Sequence, residues 1–302
     1  MNNLVVIGGT TKAATTSLFN YLCDHPEICK SSFKETRFFL DIDYPLPRKL
    51  SYVDGVEKYK EFFNSCYEKY VIDATPSYLY SRTTPSLIKT NFPNAKYIFI
   101  LRNPIDRLFS WFRYAKQIGD LESEVSFTQF IALQEEHNID VKECFMAKKQ
   151  GKYFEYLSNY LSVINQNNIL VVLYEELSDH PNRTMKKICT FLDIDIRYYD
   201  QYIYSKENVT KDIKSHTLHQ LFLIYKKFKY TIRMYTHDKL IHQVLRKLNT
   251  LVSTLYYKAN ANVNNISTQE IPRRLEIELA EYYAEDIAQL SQFMDQKIDW
   301  LN

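Results

Sequence analysis

A lysine and several hydroxyl side chains follow an apolar stretch near the N-terminus. The segment LVVIGGTTKAATTSLFNYL runs through a pair of glycines to Lys12 and then to three hydroxyls, Thr15, Thr16 and Ser17. Backbone N–H groups at the start of a helix bind anions, because they are unpaired and the helix dipole points at the ligand. The pattern therefore predicts a phosphate or sulfate site. The alternative is a capped strand–helix turn with an ordinary surface lysine.

The glycines in this segment help to define it. The chain contains only five glycines, and two of them are Gly8 and Gly9. Glycine is required where φ is positive or where a ligand approaches the backbone closely, so we expect one of these reasons here. The segment is not a Walker loop, since Lys12 follows Gly8 by only four residues and the residue directly before Lys12 is not a glycine. An ATP-dependent kinase remains an alternative, disfavoured by this loop and by the lack of a clear Walker B strand.

A second basic residue follows the clearest strand of the sequence. NAKYIFILRNP is a continuous apolar run that ends at Arg102. An arginine can bind a phosphate with two parallel hydrogen bonds. The alternative for Arg102 is a salt bridge with a neighbouring carboxylate.

These residues require a sheet that brings strand ends together. The sequence predicts strands at 4–8, 69–73, 94–104 and 167–177, with helices at 15–23, 104–115 and after the last strand. Alternating strands and helices predict an α/β fold, a doubly wound parallel sheet flanked by helices. Ligands bind at the carboxyl ends of such strands, where Lys12, Asp73, Thr75 and Arg102 are predicted. SSFKETRFFL, residues 31–40, is predicted to form a loop and a helix.

Composition excludes several classes of protein. The chain has 302 residues, 45% of them apolar, and a net charge of +2, so we expect no nucleic-acid partner. Its five cysteines, which are odd in number and lack CxxC spacing, predict reduced thiols in the cytoplasm: Cys23, Cys29, Cys66, Cys144 and Cys189. No signal-peptide pattern and no run of about 18 apolar residues is present, which predicts a chain that is neither secreted nor membrane-spanning.

The segment 221–258 differs in character from the rest. It holds eight Lys or Arg residues against one acid, Asp238, and it is predicted to be helical. We interpret about 205–260 as a helical lid or insertion with a solvated basic face. The alternative is contact with an acidic substrate, an acidic partner or a membrane surface. An acidic helix is predicted at 268–293. Residues 1–302 lack internal repeats and linkers, so we expect a single domain.

The opening loop resembles the 5′-phosphosulfate loop of sulfotransferases that use 3′-phosphoadenosine 5′-phosphosulfate (PAPS). The segment IFILRNPIDRLFSWF is similar to the 3′-phosphate element of that family, and HPEI with FKETRFF resembles its catalytic-base segment. The resemblance covers most of residues 4–195 and implies the P-loop-like sulfotransferase fold. It implies PAPS as cofactor, PAP as product and no metal. The implied cofactor-binding residues are Gly9, Thr10, Thr11, Lys12, Ala13, Ala14, Thr15, Thr16, Ser17, Arg102 and Ser110.

The chain departs from the family directly after the loop lysine. Relatives have one or two glycines there, whereas this chain has Ala13 and Ala14. If the backbone needs a positive φ, alanine is strained; if these residues are already helical, alanine is favourable. We expect the second.

Catalytic roles also follow from the resemblance. Lys12 is expected to stabilise the leaving phosphate, and Glu35 is the implied base for the acceptor. Asp73 is a second carboxylate, which could orient Lys12, assist the base or hold the acceptor, or could simply cap a turn. His25 is interpreted as structural, with a base role as the alternative, and the histidine pairs His216/His219 and His237/His242 as structural or surface residues. Tyr153, Tyr156 and Tyr160 are expected in the core or in a cleft wall, with contact between one of them and the acceptor as the alternative.

The acceptor is left open by the sequence. The glutamate base resembles that of glycan-type sulfotransferases, so the acceptor is a small molecule or a glycan, sulfated on oxygen or nitrogen. Secondary-metabolite tailoring, as by the saxitoxin sulfotransferases, is one possibility: acidic residues would favour a cationic acceptor, and the basic 221–258 segment an anionic one. A non-catalytic nucleotide- or anion-binding protein is the third hypothesis. It would bind PAP without transferring a sulfuryl group.

Overall fold

The computed structural model describes residues 3–63, 66–122, 124–136, 146–205, 212–213, 215–235, 239–262 and 271–301. A parallel sheet of five strands forms its centre: β1 (Asn3–Gly9), β2 (Ile28–Lys30), β3 (Tyr70–Asp73), β4 (Lys96–Leu101) and β5 (Ile169–Leu173). The strand order is β2-β3-β1-β4-β5. Since β2 and β3 lie on one side of β1 and β4 and β5 on the other, the order reverses beside β1, where doubly wound sheets bind ligands. The predicted fold class is confirmed.

Helices surround the sheet and continue beyond it. The first eight are α1 (Thr15–Cys23), α2 (Val56–Lys60), α3 (Thr84–Asn91), α4 (Pro104–Ile118), α5 (Phe127–Glu136), α6 (Tyr153–Leu161), α7 (Tyr174–Asp179) and α8 (Pro181–Leu192). The last three are α9 (His216–Tyr235), α10 (Lys239–Asn260) and α11 (Arg273–Met294). The helices predicted at 15–23 and 104–115 and the acidic C-terminal helix are therefore confirmed.

The core lies on both faces of the sheet. Along β1, Val5 and Ile7 face one apolar cluster while Leu4 and Val6 face the other. Successive side chains of a strand point to opposite faces, so a strand covered on both sides must be apolar throughout. This explains why the strands of this sheet appear in the sequence as uninterrupted apolar runs.

Three sequence-based boundaries differ from the structure. The short edge strand β2 was not predicted, because its three residues follow a turn and carry no alternating pattern. Residues 31–40 form turns and bends, so the helix predicted there is wrong; a single helical turn comes later, at Tyr52–Asp54. The fourth predicted strand is shorter than 167–177, because the chain turns into α7 directly after Leu173.

The prediction of reduced thiols is wrong for two of the cysteines. Cys29, in β2, forms a disulfide with Cys66, and their Cα atoms are 5.7 Å apart. The two residues are 37 positions apart in sequence, and only the fold brings them together. Cys23 and Cys189 are free thiols, and burial raises the pKa of each to about 12. Cys144 lies outside the described residues.

The basic segment forms a helical hairpin, as its sequence predicted. Helices α9 and α10 contact one another, and the ends of the hairpin are joined by the short antiparallel strands β6 (Asp212–Ile213) and β7 (Ala261–Asn262). Asn260 also hydrogen bonds with the backbone N–H and carbonyl of Ser215, at 2.6 and 3.0 Å. Among the described residues, no helix combines the length and apolar character that a bilayer span requires.

Candidate functional site

The loop after β1 is packed tightly against its neighbours. A Cβ atom at Gly8 would lie 2.5 Å from the ring of Phe99, and one at Gly9 would lie 2.8 Å from the Cβ of Leu79. Neither glycine has a positive φ. The expectation of a positive φ is therefore wrong for both, whereas close approach of a ligand to this backbone stays a prediction. These glycines are needed because other parts of the protein leave no space for a side chain.

Two residues of this loop have left-handed backbone conformations. The φ angles of Lys12 and Ala14 are 66° and 61°, and α1 begins only at Thr15. The expectation that both alanines are already helical is therefore wrong. Non-glycine residues in this region carry strain of about 1–3 kcal/mol, and such strain is concentrated at functional sites. Ala14 has no side-chain oxygen that could cap α1, so the first N–H groups of the helix remain suited to an anion.

The ammonium group of Lys12 lies among other cations. Its Nζ is 4.1 Å from the centroid of the Tyr114 ring on α4. Burial, followed by the charges of Arg102 and Arg113, lowers the pKa of Lys12 to about 8. Positive charges that face each other in a partly buried place are unfavourable alone and are relieved by a bound anion. The electrostatics of the loop thus suit a phosphate or a sulfate.

Arg102 connects this loop to the end of β4. Its Nη1 donates a hydrogen bond to the backbone carbonyl of Lys12 at 3.4 Å, and its guanidinium lies 4.7 Å from the centroid of the Tyr174 ring. The salt bridge considered as an alternative does exist, with Asp106, but it measures 3.9 Å and the carboxylate is largely exposed. Exposed pairs of this kind contribute little. Arg102 therefore keeps much of its capacity to bind an anion.

Helix α4 places Ser110 near the same region. Asn103 caps the helix by accepting a hydrogen bond from the N–H of Ile105 at 2.9 Å. Ser110 follows Asp106 by four residues, so both lie on one face of the helix, the face on which Asp106 approaches Arg102. Ser110 is partly exposed and can donate from this face.

Asp73, at the end of β3, is fully buried and accepts four hydroxyl hydrogen bonds. The donors are Thr36 at 2.6 Å, Thr75 at 2.8 Å, Tyr78 at 3.0 Å and Tyr59 at 3.1 Å. Burial raises the pKa of Asp73, while these hydrogen bonds favour the ionised form and oppose that shift. Because both of its oxygens accept hydrogen bonds from protein hydroxyls, the Asp73 carboxylate is a structural group that holds neighbouring segments together.

Three of these hydroxyls in turn hold the backbone that follows Glu35. The oxygens of Thr75, Thr36 and Tyr78 accept hydrogen bonds from the N–H groups of Arg37, Phe38 and Phe39, at 3.1, 3.3 and 3.3 Å. On the other side of Glu35, the carbonyl of Lys34 accepts from the N–H of Ala74 at 3.0 Å. The segment 34–39 is thereby fixed to the end of β3 through Asp73.

Glu35 itself lies between two cations. Its carboxylate forms ion pairs with Lys34 at 3.3 Å and with Arg37 at 3.0 Å. Burial raises the pKa of Glu35, but the charges and hydrogen bonds of Lys34 and Arg37 outweigh burial, and the net pKa is lowered. Glu35 is consequently ionised at neutral pH and can accept a proton. Arg37 has a φ of 57°, a further left-handed position beside this edge of the sheet.

Several buried polar atoms at this edge lack a partner. Among them, Thr11 Oγ1 and Arg102 Nε have no hydrogen bond within the part of the chain that the structure describes. Buried polar atoms are normally paired, so an unpaired one near a cation cluster indicates a missing ligand. One atom belongs to the loop after β1 and the other to the end of β4. The arrangement fits an anionic ligand that reaches both places.

Comparison with known proteins agrees with this geometry. A family profile described as the sulfotransferase domain matches residues 3–249. The chain belongs to the sulfotransferase family. The resemblance noted in the sequence is thus confirmed, and a kinase is excluded as the family of this chain.

Individual relatives of this sulfotransferase are distant. Human bifunctional heparan sulfate N-deacetylase/N-sulfotransferase 2 is 26% identical over 202 residues, which cover 63% of this chain and 22% of the human protein. The mouse enzyme 1 of the same name is 25% identical over 203 residues, with the same coverage. The chain thus spans 22% of the length of these relatives. The crystal structure of a sulfotransferase from Alicyclobacillus acidocaldarius has a TM-score of 0.67 at 20% identity, covers 100% and 99% of the two chains, and shows the shared fold.

Further side chains that the sequence did not reveal lie beside the predicted site residues. Tyr114, Tyr174 and Arg113 lie near Lys12 and Arg102, and Thr36 and Tyr59 donate hydrogen bonds to Asp73. Tyr174 lies within the strand predicted at 167–177 and directly follows β5 in the structure, so its place at the strand end was hidden by the predicted boundary. The others lie inside helices or loops, where a sequence pattern does not show which way a side chain points.

Several predictions about aromatic residues and histidines are confirmed. Tyr153 and Tyr160 are fully buried, with their hydroxyls donating to the backbone carbonyls of Arg102 and Tyr78, each at 2.7 Å. His25 and His219 are buried and hydrogen bonded within the protein. The side chains of His216, His237 and His242 lie outside the described part.

Proposed function

We propose that this sulfotransferase transfers the sulfuryl group of PAPS to an amine or hydroxyl of a glycan or small-molecule acceptor. The observation that carries the proposal is the hydrogen bond from Arg102 to the backbone carbonyl of Lys12, which brings together two cationic residues that each suit an anion. A nucleoside with a 5′-phosphosulfate and a 3′-phosphate needs both.

The residues fit PAPS at each end. We assign the 5′-phosphosulfate to the loop from Gly9 to Ser17, where Lys12, the hydroxyl of Thr11 and the first N–H groups of α1 are suited to it. The N–H of Thr10 donates a hydrogen bond to the carbonyl of Ile100 at 2.6 Å, so Thr10 contributes by holding the backbone of the loop in position. We assign the 3′-phosphate to Arg102 and Ser110. The cationic donor set suits an anion.

When bound, PAPS supplies the sulfuryl group and a phosphate leaving group. The protein's contribution to an in-line displacement is positioning and charge stabilisation. Lys12 holds positive charge where the leaving oxygen becomes negative. Glu35 accepts the proton of the acceptor, and it is ionised in advance because Lys34 and Arg37 lower its pKa against the effect of burial.

Asp73 acts through Glu35 in this proposal. Its four hydroxyl partners leave it no free oxygen for a substrate, and three of them hold the N–H groups of residues 37–39. Asp73 is therefore a positioning residue for the base, not a group that touches the acceptor.

The acceptor is proposed to be an anionic glycan. A cationic acceptor would need a free carboxylate, yet Asp73 is enclosed and Glu35 is paired with Lys34 and Arg37. Those cations favour an anionic chain instead. The names of the relatives, heparan sulfate N-sulfotransferases, support an amino sugar as acceptor. This argues against secondary-metabolite tailoring of a cationic toxin.

The test is transfer from radiolabelled PAPS to N-desulfated heparin, together with calorimetric titration of PAP. We expect PAP to bind without Mg²⁺ and ADP to bind weakly. Glu35→Gln should bind PAP as the wild type does while turnover falls by about 10²–10⁴-fold. Glu57→Gln, at an exposed position on α2, is the matched control. Normal turnover by Glu35→Gln would remove the base role, and PAP binding without transfer to any acceptor would support a non-catalytic protein.

The disulfide bears on where the protein acts. Structural disulfides persist in oxidising compartments and are rare in the cytoplasm. The cytoplasmic location predicted from cysteine spacing is therefore replaced by a proposed oxidising setting. Mass spectrometry after alkylation without reductant tests this: Cys29 and Cys66 should remain unmodified as a linked pair. Full alkylation of both would restore the cytoplasmic prediction.

The chain is further proposed to form one domain with a helical insertion at about 205–260. Support comes from β6 and β7, which join the two ends of the hairpin, and from Leu223 of α9, which packs at Gly119 behind α4. Limited proteolysis should cut the insertion before the remainder of the chain.

A further inference from the structure

Large apolar side chains are exposed on both helices of the hairpin. The most exposed are Leu221, Ile224 and Phe228 on α9 and Val244, Leu248, Leu251 and Leu255 on α10. Each exposes between 45% and 65% of its surface. Single exposed apolar residues are ordinary, but seven on one hairpin form a surface that a soluble protein normally covers.

The spacing of these residues gives each helix one apolar stripe. The intervals are three and four residues on α9, and four, three and four on α10, so each set lies on a single helical face. The helices run antiparallel: Phe222 stacks on Tyr256 with ring centroids 3.8 Å apart, and Lys229 donates to Asn249 at 2.6 Å. Successive residues of a helix are rotated by about 100°. Counting from the residues that contact the other helix, this rotation places both stripes on the same side of the hairpin.

The opposite side of the hairpin is attached to the body of the protein. His219 hydrogen bonds with the hydroxyl of Tyr256 at 2.6 Å and with the carbonyl of Lys116 on α4 at 3.3 Å. Leu223 lies against the backbone of Gly119 at the end of α4, where a Cβ would be 2.6 Å from it. The apolar stripes therefore point away from the core, and the described residues of the chain leave them exposed.

The charge of the hairpin indicates which kind of partner could cover this apolar surface. The segment 221–258 has eight basic residues and one acid. A second copy of the hairpin would bring like charges together, which is unfavourable. The apolar stripes and the basic charge of the hairpin are both complemented by a surface with an apolar interior and anionic groups at its boundary with water. An anionic lipid bilayer has such a surface.

We propose that the α9–α10 hairpin docks this protein on the surface of an anionic membrane. The stripes insert at the level of the acyl-chain boundary, and exposed basic side chains such as Lys227 and Lys258 contact the lipid headgroups. The helices lie in the plane of the interface. The proposal is independent of the sulfuryl-transfer reaction, because the hairpin residues belong to neither anion site.

Flotation with lipid vesicles tests this. We expect the full chain to float with vesicles of phosphatidylcholine and phosphatidylserine, and to float poorly with phosphatidylcholine alone. Raising salt from about 0.1 M to about 1 M shortens the Debye length from about 10 Å to about 3 Å and should weaken binding. The triple variant Leu221→Ser, Ile224→Ser, Phe228→Ser should lose about tenfold or more in partitioning. Lys227→Glu with Lys258→Glu should also weaken binding.

A control variant distinguishes docking through the hairpin from non-specific hydrophobic binding to lipid. Ile42→Ser with Ile203→Ser removes two equally exposed apolar side chains outside the hairpin and should float as the wild type does. Far-UV circular dichroism and thermal melting confirm that each variant is folded. Failure of the wild type to float with anionic vesicles, or equal flotation by the triple variant, overturns the proposal. A dimer that only the triple variant abolishes, without lipid binding, would assign the surface to a second copy.

Discussion

The guanidinium of Arg102 donates a hydrogen bond to the backbone carbonyl of Lys12, with 3.4 Å between donor and acceptor. The two residues are 90 positions apart in sequence and stand at the ends of the adjacent strands β4 and β1. The contact links the proposed 3′-phosphate site to the proposed 5′-phosphosulfate site. One nucleotide that carries both anionic groups can therefore reach both residues.

The affinity for PAP should depend on the protonation of Lys12. Its pKa in the folded protein is lowered to about 8, by burial first and then by Arg102 and Arg113. Above pH 8 the free protein loses this proton, so PAP affinity should fall by up to about tenfold per pH unit. Titration calorimetry across this range measures the effect. Lys12→Met should bind weakly with no such dependence, whereas Lys60→Met, at an exposed position, should behave as the wild type.

The same shift predicts a pH effect on stability. The unfolded chain keeps the Lys12 proton up to its ordinary pKa of 10.5, and the folded chain only up to about 8. Below pH 8 both states are protonated and the full destabilisation is present. As pH rises from about 8 to 10.5 the unfolded state holds more protons, so this penalty declines. Urea unfolding should show the wild type gaining stability over this window relative to Lys12→Met; parallel curves would contradict the assigned pKa.

Arg102→Ala should weaken binding selectively. We expect PAP affinity to fall by about 10–100-fold, since a charge-assisted interaction with phosphate is lost. AMP lacks the 3′-phosphate, so its weaker binding should change much less. Calorimetry of both nucleotides gives the ratio. Arg274→Ala, at a highly exposed position on α11, serves as the control. An equal loss for AMP and PAP would place Arg102 elsewhere than at the 3′-phosphate.

Asp73→Asn should reduce turnover through the base. An amide gives the surrounding hydroxyls a poorer acceptor, and we expect stability to fall by about 1–3 kcal/mol. Loosening of residues 37–39 should lower kcat while the KM for PAPS is retained. Tyr59→Phe removes a hydroxyl bonded to Asp73 at 3.1 Å and leaves the bonds to residues 37–39 in place, so it should retain kcat. A fall in kcat for Tyr59→Phe as large as that for Asp73→Asn would indicate a general packing effect.

Ala14→Gly tests the strain in the loop. Removing the Cβ from a residue with a φ of 61° relieves about 1 kcal/mol, and the more flexible unfolded chain offsets about 0.4–1 kcal/mol of that gain. Stability measured by urea unfolding should therefore stay equal or rise slightly. Ala284→Gly, at an exposed position inside α11, should instead cost about 1 kcal/mol. Equal losses in both variants would mean that Ala14 is helical.

The sequence alone determined four of the five strands of the sheet, the main helices and the types of residue near the strand ends. Apolar runs such as that of β4 are local, and a parallel sheet buried on both faces requires them. Arg102 was found because it directly follows such a strand, and Lys12 because it lies in the loop after one. Family resemblance then supplied Glu35 and Ser110, which no periodic pattern would have selected.

The tertiary structure decided what depends on residues distant in sequence. The disulfide between Cys29 and Cys66 and the four hydroxyls on Asp73 come from separate segments, whose meeting no local pattern encodes. The left-handed conformation of Ala14 was also missed, because alanine favours a helix and only the packing of the loop overrides that preference. Local propensity thus set the elements, while contacts across the sheet edge set the charge, strain and geometry of the site.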